Sequence, residues 1–196
     1  MSYFIAGLGN PGKEYENTRH NVGRIILESF RVGNNFSEWK DDKKNKSLVS
    51  DGKVGKSKVV LIEPNNFMNN SGKSFAKVIT SAKKAENLIV VYDDIDLPLG
   101  VLKISFNRGS AGHRGVESVI KSVKTKEFIR LRVGVSPVTP SGKIKKPKGE
   151  QKVLDFLMGN FKPKEKEVLK KILKNTTMAL ETIITEGREK AAGKFN

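Results

Sequence analysis

The 196-residue chain has two histidines, His20 and His113, and no cysteine. An imidazole is the side chain best suited to take a proton near neutral pH, so the candidates for a general base are few. His20 stands in the polar run Asn17-Thr18-Arg19-His20-Asn21, just beyond an apolar segment. Asp93, Asp94 and Asp96 stand beyond another, Leu88 to Tyr92. In α/β proteins functional groups gather past the strand ends, so a carboxylate and an imidazole from two such ends can meet as a base and its orienter. The residue types leave a second reading open, in which His20 is a helix-start residue satisfied by backbone and the acids form a turn before Pro98-Leu99-Gly100. Asparagine is dense in the same loops, at Asn10, Asn17, Asn21, Asn65, Asn66, Asn69 and Asn70. Amides can donate to a developing oxyanion while accepting elsewhere, which suits a carbonyl held for attack by water, but asparagine also favours turns.

Other chemistries lose their anchors. Without cysteine there is no disulfide framework, thiolate zinc site or thiol nucleophile. Neither histidine belongs to an H-E-x-x-H pair, and no G-x-S-x-G elbow occurs. Gly7-Leu8-Gly9-Asn10-Pro11-Gly12 is a literal G-x-G-x-x-G after an apolar run, but a dinucleotide site needs a helix opening inside the glycines, and Lys13 to Arg19 has no helical apolar period. Gly55-Lys56-Ser57 resembles the end of a phosphate-binding loop but lacks the first glycine and reads as a turn.

The elements that must position these residues follow from apolar spacing. Tyr3 to Leu8 reads as a buried strand, and Val22, Ile25, Ile26 and Phe30 recur at helical spacing up to Gly33. Lys46 to Val54 and Lys58 to Ile62 form a strand pair split by glycines, and Phe75, Val78 and Ile79 suit a second helix. Leu88 to Tyr92 is a central strand ending in acids. Val101 to Phe106 and Ile129 to Val135 are two more, with a glycine-rich loop and a helix over Val116 to Val123 between them. Pro137 to Gly149 reads as a mobile basic loop, and Pro163 opens a long amphipathic C-terminal helix that ends at Gly187. The alternation predicts an α/β fold: a single domain over residues 1–196 with a mixed, twisted β-sheet flanked by helices.

Lys plus Arg outnumber Asp plus Glu by 37 to 21, a formal charge of +16, which suits a partner rich in phosphate. No apolar run approaches a membrane span, and the N-terminus lacks a basic region leading into an apolar one, so a cytoplasmic location is expected.

Four ordered motifs together carry a family resemblance: Gly7 to Gly12 followed by Tyr15 and Thr18-Arg19-His20-Asn21; Phe67-Met68-Asn69-Asn70-Ser71-Gly72; Asp93-Asp94-Ile95-Asp96-Leu97-Pro98; and Gly112-His113-Arg114-Gly115. In this order, and spanning nearly the whole chain, they resemble the bacterial peptidyl-tRNA hydrolases. The resemblance implies a monomeric α/β hydrolase, with no metal or other cofactor, that cleaves the ester between a peptide and its tRNA in tRNA recycling. It implies His20 as the base that activates water, Asp93 as its orienter, and Asn10 beside the peptide end. Phe67 and Asn69, with Tyr15 across the cleft, would hold the substrate, and Lys103 and Arg132 would meet tRNA phosphate. Two departures stand out. Arg114 replaces the family's usual Asn, exchanging a substrate-holding amide for a charged donor. Ser105 stands where a second Lys usually follows Lys103, so Arg108, Arg114 or Arg132 would have to rebuild the phosphate contact. His113 reads as loop structure. An RNA-binding relative without turnover is the rival from another class.

Overall fold

Seven strands form, six of them on the apolar runs of the sequence and one, the charged β2, as a short edge: β1 (Ser2–Gly7), β2 (Lys40–Asp42), β3 (Ser47–Val54), β4 (Ser57–Pro64), β5 (Leu88–Pro98), β6 (Leu102–Phe106) and β7 (Ile129–Ser136). The structure, a computed structural model, describes residues 1–196. The strands form one mixed sheet in the order β2-β3-β4-β1-β5-β7-β6. β4, β1, β5 and β7 run parallel at its centre, while β3 and β6 pair antiparallel towards its edges. The expected α/β fold with a mixed, twisted sheet is what the chain forms.

Six α-helices cover the sheet: α1 (Val22–Gly33), α2 (Ala82–Glu86), α3 (Arg114–Val123), α4 (Glu150–Met158), α5 (Pro163–Glu186) and α6 (Arg188–Phe195). Apolar side chains of α1 and α5 pack with Ile89, Val91, Leu131 and Val133 on one face. Met68, Phe75, Val116 and Val119 pack with Val90 and Tyr92 on the other. Successive strand residues point to opposite faces, which is why neighbours in β5 divide between the two clusters. From β1 the chain passes to β4 on one side and then crosses to β5 on the other. The carboxyl ends of β1, β4 and β5 therefore flank a topological switch point, the usual location of a site in an open α/β sheet.

α1 sits close on this end of the sheet because it begins on small residues. A Cβ at Gly23 would lie 2.4 Å from the Val91 carbonyl oxygen, and one at Gly7 would lie 2.6 Å from the Gly23 carbonyl oxygen. Only glycine permits that approach, and it seats the turn carrying His20 directly over β5.

Several sequence expectations need correcting. The helix expected around Phe75 is a 3-10 segment, Met68–Ser74, running into turns, and the α-helix starts only at Ala82 behind the Ser81 cap. Close packing explains this: a Cβ at Gly72 would lie 2.0 Å from the Ser118 carbonyl oxygen on α3, so the segment is pressed flat against α3 while Phe75 and Ile79 still bury their side chains. β5 does not stop before the acids but continues through Pro98, with a register irregularity between Asp94 and Pro98. Pro163 does open the long helix, which ends before Gly187, but α6 follows it. The extended run Pro137–Gly149 is irregular apart from a bridge between Val138 and Ile144, and it leads into α4.

Candidate functional site

A cleft of about 490 Å³ opens at the switch point, lined by Asn10, His20, Phe67 to Asn69, Tyr92 to Asp96, Ser110 to Arg114, Glu150 and the apolar side of α4. Its floor is Asp93, 2% exposed, where the apolar part of β5 gives way to its acids. One Asp93 oxygen, Oδ1, meets His20 Nδ1 at 2.9 Å and His113 Nε2 at 3.1 Å. His20 comes from the 3-10 turn Arg19–Asn21 that leads into α1, and His113 is the residue before α3. The carboxylate thus takes one histidine from the helix layer on each face of the sheet.

Hydrogen bonding fixes how each ring is used. His113 Nδ1 accepts the Val116 backbone N–H at 3.2 Å, so in the neutral ring the proton lies on Nε2 and is donated to Asp93. His20 offers Nδ1 to the ionised carboxylate, which places its proton there and leaves Nε2 with a free lone pair. Burial on its own would favour the uncharged form of each group. For His20, burial lowers the pKa, but the charge and hydrogen bond of Asp93 outweigh it and raise the imidazole above its ordinary 6.5. For Asp93, burial alone raises the pKa, but the two histidines outweigh it and hold the carboxyl well below the usual carboxylate range. The arrangement is a buried, ionised carboxylate orienting a basic imidazole at an open cleft.

The facing nitrogen and oxygen atoms of His20, Asp93 and His113 lie within 4.8 Å of one another, a spacing a metal ion could in principle draw together. The Val116 N–H on His113 Nδ1 argues against that use, because a ligating Nε2 would force a proton onto Nδ1 against another donor. The donor set fits proton transfer better than metal binding.

Asn10 forms the adjoining wall through a reciprocal lock. Its backbone N–H donates to Asn21 Oδ1 at 2.8 Å, and Asn21 Nδ2 donates to the Asn10 carbonyl at 2.9 Å. Asn10 Oδ1 accepts the Met68 N–H at 2.8 Å, which fixes the amide orientation and turns Nδ2 into the cleft, where Met158 sulfur, a weak acceptor 3.9 Å away, is its nearest partner. A held amide donor therefore faces the space beside His20. Phe67, 59% exposed, and the exposed Asn69 form the opposite lip.

Other predicted residues lie elsewhere. Tyr15 does not line the cleft; it closes the 3-10 turn Lys13–Tyr15, and its carbonyl caps Thr18. Lys103 and Arg132 face each other across β6 and β7 and line a second hollow of about 600 Å³ with Ser105, Arg108 and Arg130. Arg132 Nε is held by Asp94 Oδ2 at 2.5 Å, so an acid of the first cleft and a base of the second form a shared wall. Arg130 is fully buried, donates only to the backbone carbonyls of Lys126, Phe128 and Arg108, and has an unpartnered Nε; Ser105 Oγ is likewise buried without a partner. A buried cation with no carboxylate partner, stacked on the Phe128 ring, leaves this hollow with an excess of positive charge. Arg114 lies at the cleft mouth, paired with Glu150.

Sequence reasoning missed His113 as a partner of Asp93, Asn21 as the lock on Asn10, Arg130, and the whole of α4. The α4 signal was present in Val153, Leu154, Phe156 and Leu157 after Gly149. Arg19 pins that helix in place by donating to the Phe156 and Gly159 carbonyls and to Glu165, with its guanidinium 4.5 Å from the Phe156 ring centroid. The glycine-rich Gly7 to Gly12 segment opens no α-helix, only the single 3-10 turn Lys13–Tyr15, and α1 begins at Val22.

This architecture is shared with known proteins. A family model described as peptidyl-tRNA hydrolase matches residues 4–196. A peptidyl-tRNA hydrolase from Dehalococcoides mccartyi is 37% identical over 193 residues, covering 98% of both chains. One from Aquifex aeolicus is 38% identical over 181 residues, covering 90% of this chain and 86% of its own. The crystal structure of peptidyl-tRNA hydrolase from Acinetobacter baumannii superposes with a TM-score of 0.86 at 25% identity, covering 99% of this chain and 94% of that one. Fold and cleft together define a mixed α/β hydrolase. The chain belongs to the peptidyl-tRNA hydrolase family.

Proposed function

We propose that this chain hydrolyses the ester bond of peptidyl-tRNA, releasing free tRNA and peptide, with His20 activating the attacking water. The single observation that carries this reading is the ionised, buried Asp93 holding His20 by Nδ1 in the open cleft. His20 Nε2 takes a proton from water as the oxygen attacks the ester carbonyl. Asp93 offsets the charge that forms on the ring, and Asn10 Nδ2, with the Asn69 amide, donates to the carbonyl oxygen as it becomes an oxyanion. When the carbonyl re-forms, the ester C–O bond breaks and the ribose oxygen of tRNA leaves, receiving the proton from His20. No serine or cysteine nucleophile is needed because the ester is already activated.

Phe67 is placed to stack on a base or an apolar side chain, and the apolar side of α4 faces the peptide side of the cleft. The second hollow, with Lys103, Arg108, Arg130 and Arg132, suits tRNA phosphate. There Arg108 and Arg130 supply charge that Ser105 cannot. In this reading the protein works as a monomer in the cytoplasm, in tRNA recycling and the rescue of stalled translation. No helix is long and apolar enough to cross a membrane.

The test is to incubate the purified protein with acetylated and with free aminoacyl-tRNA and follow tRNA release. Cleavage of the blocked form, reduced roughly 10²- to 10⁴-fold in His20→Ala, is the expected result. No cleavage of the blocked form would leave an RNA-binding protein without turnover, and cleavage indifferent to His20→Ala would remove His20 from the role of base.

A further inference from the structure

Four acids line the cleft, and each faces a cationic or histidine partner. Asp93 holds the two histidines, Asp94 holds Arg132, Asp96 holds Lys146 and Glu150 holds Arg114. The first two are buried and tie the floor together. The last two lie at the mouth and are open to solvent, with the Arg114 and Glu150 side chains 66% and 80% exposed. Pairs so exposed contribute little to the fold and open readily. Arg114 has no other side-chain partner, and it stands on the first residue of α3, immediately after the histidine that binds Asp93. Glu150 stands across the mouth on the first residue of α4, directly after the lysine-rich run ending at Gly149.

We propose that Arg114 is a phosphate-binding side chain whose place is kept by Glu150 in the free protein, so that a phosphodiester near the tRNA 3′ end binds by displacing the Glu150 carboxylate. The inference rests on the peptidyl-tRNA reading. A guanidinium fork takes carboxylate and phosphate in the same two-oxygen geometry, so one group can stand in for the other. Glu150 returns to water at small cost because it is already largely solvated. While seated, it also screens the cleft mouth against anions that cannot displace it. An asparagine at this position could not hold such a competitor by charge, so the exchange depends on the guanidinium of Arg114.

A structural ion pair and a competitive one predict different signs. If the pair only fastens α4 to α3, losing either partner harms binding alike. If Glu150 competes with substrate, the two losses act oppositely. The experiment measures the affinity of deacylated tRNA, by anisotropy at fixed ionic strength, for the wild type, Glu150→Gln, Arg114→Gln and the double variant. Melting temperatures confirm that each is folded. Glu150→Gln is expected to tighten binding about threefold. Arg114→Gln is expected to weaken it about tenfold and to flatten the slope of log affinity against log salt by roughly 0.7. In the Arg114→Gln background, Glu150→Gln should gain nothing. Single variants that shift affinity in the same direction overturn the proposal. So does a gain from Glu150→Gln that persists without Arg114, because that gain would be a general charge effect. Failure of the wild type to cleave blocked aminoacyl-tRNA while tRNA binding follows this pattern counts against the hydrolase reading and leaves the exchange at Arg114 standing.

Discussion

The two halves of the cleft are built on opposite principles. The floor is buried and fully cross-bonded: Asp93 is shared by two histidines, Asn10 is locked to Asn21 and Met68, and Gly23 lets α1 press the His20 turn onto β5. The lip is exposed and loosely paired: Phe67 and Asn69 stand in solvent, and Arg114 and Lys146 are held only by exposed acids. Groups that move protons must be held to fractions of an ångström, and burial with hydrogen bonds supplies that rigidity. Groups that admit a large, flexible, charged substrate gain from staying open until it arrives. Changes in the floor should therefore reduce turnover, and changes in the lip should alter binding.

The largest expected effect that separates the halves is at Asn10. Asn10→Asp keeps the oxygen that accepts the Met68 N–H but loses the donor facing the cleft, so kcat should fall by roughly 10²-fold or more while the melting temperature changes little. A variant that loses stability and keeps its turnover would show that Asn10 serves packing alone. Gly23→Ala comes next: its methyl must displace the Val91 carbonyl or move α1, which should cost about 1–3 kcal/mol by denaturant unfolding and lower kcat through the displaced His20 turn. If activity survives undiminished in the folded fraction, the close seating of α1 does not position His20. The smallest effect belongs to the lip. Phe67→Ala should raise KM by about fivefold or more, as loss of one stacking contact of roughly 1–3 kcal/mol implies, with kcat little changed. A fall in kcat with KM constant would erase the distinction between the halves.

The sequence made the parts of the floor legible but not all of their contacts. Strand and helix periods placed His20 beyond β1 and Asp93 at the end of the apolar part of β5, and only two histidines competed for the role of base. His113 was read as loop structure because its value is tertiary: it reaches Asp93 only when α3 packs on the face opposite α1. The helix expected at Phe75 failed for a related reason, since contact between Gly72 and Ser118 overrode a local helical spacing. The resemblance places Tyr15 at the cleft, but it is not among the residues that line it. The lip was the least legible part, because an exposed pair such as Arg114 with Glu150 joins residues 36 apart in sequence that no periodicity connects.

The floor also carries a pH signature. His20, with its pKa raised, contributes its full share of stability below its ordinary 6.5 and loses it as pH rises through the folded value. Asp93, with its pKa depressed, contributes above its ordinary 3.8 and loses it as pH falls through the folded value. The base must be neutral to act, so kcat/KM should rise with pH through an apparent pKa above 6.5. The most direct test of the site is that profile measured for the wild type and for Asp93→Asn. With the carboxylate gone, burial is left as the main influence on His20, so the acidic limb should move below 6.5 and the plateau should fall steeply. An acidic limb that stays in place in Asp93→Asn, or a wild-type limb already below 6.5, would contradict His20 as a base oriented and charged by Asp93.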